Sequence, residues 1–186
     1  MIRPTLISCA ACALAVVCVM TPAVPQAQGQ SRGRFVDSGL VVVDTQTKLM
    51  WEKKSTEVGS GENSDDLHDV DNLYSWCHAT GNSEAPRCFR NATSWIGQVN
   101  AESFAGFTNW RMPTREELLS IADTSDATCK RKPCIDPIFG PTQASDYWSA
   151  TEVSPNVAWI VIFSSGNFRF GTKTDVVHVR AVRSGQ

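Results

Sequence analysis

The stretch Phe104–Ile121, FAGFTNWRMPTREELLSI, holds aromatics, a fixed cation, a proline and a helix start within a few residues. Pro113 disfavours helical geometry at Met112, and Thr114 opens a helix immediately afterwards. Thr114 and Glu117 have capping-box spacing, in which each side chain satisfies an orphan backbone N–H of the first turn. Leu118, Leu119, Ile121 and Ala122 supply a buried side, so the spacing predicts a helix over 115–122. WRMPT is at minimum a chain-reversal device. Arg111 within it could clamp a carboxylate or sulfate ligand bidentately. It could instead donate to backbone carbonyls of neighbouring strands, and we favour this structural role.

Upstream, Asn91 is a good helix cap, and Ala92, Trp95, Ile96 and Val99 recur at helical spacing, which predicts a helix from Asn91 to about Glu102. Asn91-Ala-Thr93 is also a glycosylation sequon, but capping explains Asn91 without a sugar. Earlier still, RFVDSGLVVVDTQTKLMWEKK reads as a hairpin: Leu40–Val43 as a strand covered on both faces, Asp44–Lys48 as the turn, Leu49–Trp51 as the return. Ser55–Asp71, rich in Gly, Ser, Asn and acids, is a long surface loop. Downstream come short strands at Tyr147–Thr151, Ala158–Phe163, Phe168–Phe170 and Val176–Val182. Two helices followed by short antiparallel strands make an α+β domain, expected over residues 35–184 behind a flexible lead-in at 28–34.

The first residues have a different character. Arg3 precedes an apolar run from about Leu6 to Met20, then small residues and proline, the layout of a secretory signal peptide. The run is short for a bilayer-spanning helix. Cleavage is expected between Ala23 and Gln30, with Ala27 as last residue and 1–27 as the signal. An uncleaved anchor is the competing reading; a lipoprotein start at LISC would put Cys9 ahead of most of the apolar run. No second apolar stretch is long enough to span a membrane. The 186 residues carry a net charge of −2, which lacks the basic excess of a general nucleic-acid binder. Cys77, Cys88, Cys129 and Cys134 follow the signal, an even set that reads as two disulfides in an oxidising compartment, periplasmic or extracellular. Three connectivities are open; we favour Cys77–Cys88 and Cys129–Cys134, each closing a short loop worth roughly 2–3 kcal/mol. A four-cysteine zinc site would want paired CxxC knuckles, which are absent.

The ordered blocks VVVDTQTKLMWEK, FAGFTNWRMPTREEL, IDPIFGP, YWSAT, AWIVIFSSGN and VRAVR resemble the Lcl C-terminal domain family, an exported bacterial domain known from a collagen-like adhesin. The likeness runs from about Phe35 to Arg183. It implies a C-type-lectin-like fold, two helices packed on small twisted antiparallel sheets with long loops. It also implies binding more than reaction, with sulfated polysaccharides as adhesin ligands. This chain lacks the collagen-like Gly-X-Y tract. It has Ala181 where the family often has Cys, and its acidic loop at 57–71 would repel a sulfated chain.

No nucleophile elbow, HExxH, phosphate loop or dinucleotide fingerprint occurs, so no catalytic residue is nominated. An enzyme of the formylglycine-generating kind, a fold relative, would need a free thiol. Asp65, Asp66, Asp69 and Asp71 crowd one loop with hard oxygens of the kind calcium takes, though without EF-hand register; a solvated acidic loop is the plainer reading. Of six tryptophans, Trp51, Trp95, Trp110 and Trp159 are expected in the core, while Trp76 and Trp148 are less settled, and Trp148 is the candidate for stacking on a sugar. Asn156, Ser164, Ser165, Asn167, Arg169, Lys173 and His178 fall on the C-terminal hairpins, and Lys130, Arg131 and Lys132 form a basic cluster. These are the candidate ligand contacts, with polysaccharide or a cell-surface or envelope protein as partner. A polar groove would favour carbohydrate, and a broad aromatic patch would favour protein.

Overall fold

The computed structural model describes residues 33–76, 90–123, 129 and 131–185. The signal-peptide reading, most of the lead-in, Cys77, Cys88 and Lys130 lie outside the described residues. The N-terminal hairpin forms as expected: β2 (Val41–Asp44) and β3 (Leu49–Glu52) pair antiparallel with Val42 opposite Trp51. Asp44 builds its turn, accepting from the Gln46 N–H and the Thr47 hydroxyl while pairing with Arg34 at 2.7 Å. β1 (Phe35–Asp37) and β7 (Val182–Ser184) complete a four-stranded sheet in the order β1-β2-β3-β7. Both faces of β2 are covered, Val41 entering one apolar cluster and Val42 another. Leu40 precedes the strand and is 60% exposed.

Helix α1 (Ala92–Ala101) starts where Asn91 Oδ1 accepts the Thr93 N–H at 2.7 Å, and it buries Ala92, Trp95 and Val99. Helix α2 (Arg115–Ile121) has the full capping box: Thr114 Oγ1 accepts the Glu117 N–H, and the Glu117 carboxylate accepts the Thr114 N–H. Arg111 is structural, but in a different way from that expected. Its guanidinium donates to Glu117 at 2.7 and 2.6 Å and to the adjacent Met112 carbonyl, so it locks the capping glutamate rather than a strand. The Asn100 side chain accepts the Trp110 N–H and donates to the Trp110 carbonyl, tying α1 to this corner.

The second sheet runs β4 (Asp146–Ser154), β5 (Val157–Ile162) and β6 (Asn167–Thr172), antiparallel in that order. The expected closing strand at 176–182 is instead a connector between the sheets. Its backbone groups are shared out: Val177 bonds Tyr74, His178 bonds Asp146 and Trp148, and Ala181 accepts from Glu52. Only the last residues join the first sheet as β7. Two helices and two small antiparallel sheets make the fold α+β.

Charge sits at the centre of this arrangement. Arg180, fully buried, donates to the carbonyls of Glu52, Phe139 and Pro141 and to the Thr142 hydroxyl, at 2.6–3.1 Å. Glu52, also fully buried, accepts the Ala181 N–H at 2.7 Å and pairs with Lys54 at 2.9 Å and His68 at 2.6 Å. Burial alone would raise the Glu52 pKa, but the facing Lys54 and His68 bring it down to about 2. The other His68 nitrogen lies 2.5 Å from Glu102. Burial works against its charge, yet the two carboxylates hold the His68 pKa above its ordinary value.

Candidate functional site

Strand alternation gives the second sheet two unlike faces. Ala158 and Ile160 of β5 point with Trp148 of β4 into the first apolar cluster. On the opposite face Tyr147 and Val161 are capped by Leu118 and Ile121 of α2. The cross-strand register places Phe168 beside Val161 and Phe170 beside Trp159, on that same face. Trp159 is only half-buried, while the other five tryptophans are buried, against the expectation that it lies in the core and Trp148 outside.

Trp159, Phe168 and Phe170 form one aromatic surface. Both phenylalanines meet Trp159 edge-on, at centroid distances of 5.4 and 6.0 Å, and they are 49% and 63% exposed. The Arg115 guanidinium stacks 4.7 Å over Trp159 and 5.2 Å from the Phe168 centroid. It is aimed by the start of α2, where the Arg115 N–H donates to Thr151 Oγ1 and the guanidinium bonds Glu116 at 2.6 Å. Alternating Phe168 and Phe170 in a short strand was the sequence signal for this surface. Trp159 was hidden because its strand is apolar on both faces.

The residues nominated from sequence scatter. Trp148 is fully buried, donates to the Tyr74 carbonyl at 2.9 Å and has no face open to a ligand. His178 is buried with Nδ1 3.2 Å from the Asn72 carbonyl, and burial holds its pKa below the ordinary value. Lys173 is buried against Trp76 and pairs with Glu152 at 2.6 Å. Arg169 is exposed but bonds Asp146 at 2.6 Å. Asn156 lies in the β4–β5 turn, whereas Ser164, Ser165 and Asn167 lie at the β5–β6 turn, the opposite end of the sheet. Arg131 and Lys132 are exposed in the loop closed by the Cys129–Cys134 disulfide.

The four aspartates do not converge either. Asp66 accepts from the Ser55 hydroxyl and the His68 N–H, and Asp69 from the Thr56 hydroxyl and the Asp71 N–H. Asp71 takes the N–H groups of Gly59 and Gly61 and the Gln143 side chain. Burial would raise the Asp71 pKa, but these donors hold it below the usual range. Asp65 is exposed. Among the described residues no group of three or more His, Cys, Asp or Glu side chains is placed to hold a metal ion. The carboxylates of Asp66, Asp69 and Asp71 are engaged in shaping the loop.

Among the described residues, no helix is long and apolar enough to cross a membrane. Both described cysteines are joined in the disulfide. Among curated proteins none matches the chain at a significant level. Comparison with protein families matches residues 40–183 to the Lcl C-terminal domain, a span that takes in both helices, β2 to β6 and most of β7. The chain belongs to the Lcl C-terminal domain family.

Proposed function

We propose that the chain is an exported, non-catalytic binding module that meets its ligand with the Trp159–Phe168–Phe170–Arg115 surface, and that this ligand is a carbohydrate chain. The carrying observation is the aromatic surface itself, with Phe168 and Phe170 exposed on the outer strand β6 and half-buried Trp159 beside them on β5. Pyranose rings present C–H faces that lie on aromatic rings, and exposed Phe168 and Phe170 offer such rings. Exposed Thr172, on the same strand and face as Phe168 and Phe170, offers a hydroxyl beside them. The apolar N-terminal run and the disulfide support export.

A protein partner is the second reading, which a broad aromatic patch in place of a polar groove favours; the likeness to an adhesin domain keeps carbohydrate first. The test is a glycan screen that includes sulfated polysaccharides, run with calcium and with chelator, on the wild-type protein and on Trp159→Ala and Phe170→Ala. Binding lost in both variants and indifferent to chelator supports the carbohydrate reading. Chelator-sensitive binding moves the site to the aspartate loop. No glycan bound in either buffer overturns the carbohydrate reading and leaves the protein partner.

A further inference from the structure

Seven of the eight described arginines have their guanidinium engaged. Arg34, Arg90, Arg111, Arg115 and Arg169 bond carboxylates, Arg180 bonds carbonyls, and Arg183 bonds Asn109 and lies over Phe107. Arg131 is the exception, and neighbouring Lys132 shares its condition. Among the described residues neither side chain makes a hydrogen bond or an ion pair, and both are exposed. Among the described residues these two adjacent cations have no carboxylate partner, in a chain of net charge −2.

They stand over a cavity. One of about 340 Å³ is walled by Val58, Pro133, Ile135 and Pro141, with Arg131 and Lys132 at its edge. Among the described residues its walls include no carboxylate. A second cavity of about 440 Å³ shares Arg131 and Ile135 but includes Asp123 and Asp136, so an anion is better accommodated on the proline side. The apolar walls are held in place by the core. The Cys129–Cys134 disulfide closes the loop, the Cys134 N–H donates to the Phe163 carbonyl at 2.6 Å, and Arg180 ties down Pro141 and Thr142 from beneath. Val58, half-exposed on the loop opposite, supplies the remaining apolar contact. The volume falls in the range of small-molecule sites, and apolar walls with a few convergent charges are their usual make-up.

We infer that this cavity is a binding site for a small amphipathic anion, an organic carboxylate or sulfate whose compact apolar body lies among the prolines while Arg131 and Lys132 hold its charged end. Arg131 supplies a planar fork for two oxygens and Lys132 a point charge. The aromatic surface of the second sheet plays no part in the site, so it stands whether or not the carbohydrate reading does.

The experiment is an NMR titration of the ¹⁵N-labelled protein with 3-phenylpropionate, phenyl sulfate and the neutral 3-phenylpropanol. Saturable shifts at Val58, Arg131, Lys132, Ile135 and Thr142 are expected with an anion, and binding of the alcohol should be about tenfold weaker or less. Carboxylate and sulfate arms distinguish which oxyanion fits better. Arg131→Gln with Lys132→Gln should weaken the anions about tenfold while leaving the alcohol unchanged. Both side chains are exposed, so the variant keeps its core, and an unchanged amide spectrum elsewhere verifies that. Equal binding of acid and alcohol, shifts confined to Trp159 and Phe170, or no saturable shift at all would overturn the inference.

Discussion

Around the first sheet charge lies inside, whereas on the outer face of the second sheet aromatic rings lie outside. Glu52, Lys54, Arg180 and Arg183 are all buried at or beside β3 and β7. Phe168 and Phe170 stand in water on β6. A buried charge is tolerated only when paired and hydrogen-bonded, so the first region is bound to itself and has little to offer a ligand. An exposed aromatic pair has no such structural necessity. On the second sheet and the connector after it, charged residues are therefore poor markers of a binding face: Lys173, Arg169 and His178 are all committed to internal partners.

The hardest blow to this contrast would fall at Glu52. Glu52→Ala leaves Lys54 buried without its carboxylate and should cost about 3–5 kcal/mol in urea denaturation. A loss well under 1 kcal/mol would mean that the inner charges are not what holds the region. The wild-type acid limb follows from the same group. Its folded pKa is depressed, so its contribution is present above about pH 4.5 and is lost as pH falls towards 2. Next in size, replacing Cys129 and Cys134 together by alanine removes a short covalent loop and should cost about 2 kcal/mol by thermal unfolding. His68→Gln should cost roughly 1–2 kcal/mol at pH 6, where the imidazolium bridges two carboxylates. The sign with pH is opposite to that of Glu52. The His68 pKa is raised, so its contribution is complete below about pH 6.5 and fades as pH climbs through the raised value. Stability of the variant measured at pH 6 and pH 9 should therefore differ less than that of the wild type. Smallest in stability, Phe170→Ala should shift the unfolding midpoint by less than about 0.5 kcal/mol while weakening ligand binding about tenfold or more. A large destabilisation there would turn the outer aromatics into core and erase the contrast.

Local signals carried most of the fold. Asn91, Thr114 and Glu117 announced both helices because capping is a short-range affair. The Leu40–Trp51 hairpin was legible from β-branched runs around a polar turn, apart from Leu40 itself. The site was harder to read because its identity depends on which side of a sheet is covered. Nothing near Trp159 in sequence says that it is left half-buried beneath the Arg115 guanidinium, and nothing near Trp148 says that Trp76 and Tyr74 close over it. The aspartates left calcium ligation and a plain acidic loop both open in the sequence, and the donors to Asp66, Asp69 and Asp71 come from Ser55, Thr56, Gly59 and Gly61 across the loop. Arg180 gave no local hint of burial, since its four acceptors come from residues 38 to 128 positions earlier.

The way the first sheet is assembled also governs when the domain can fold. Met50 faces Arg183 across the β3–β7 pair, so this seam joins segments separated by nearly the whole described chain. A ribosome delivers β3 early and β7 late, and the Glu52 carbonyl has no guanidinium to meet until Arg180 emerges. Until then β3 has an open edge, because closure over so long a span must wait for its second half. A chain built in this order stays extensible through most of its synthesis, the condition in which a translocation pore can thread it, and it commits to its final shape only when its last strand arrives.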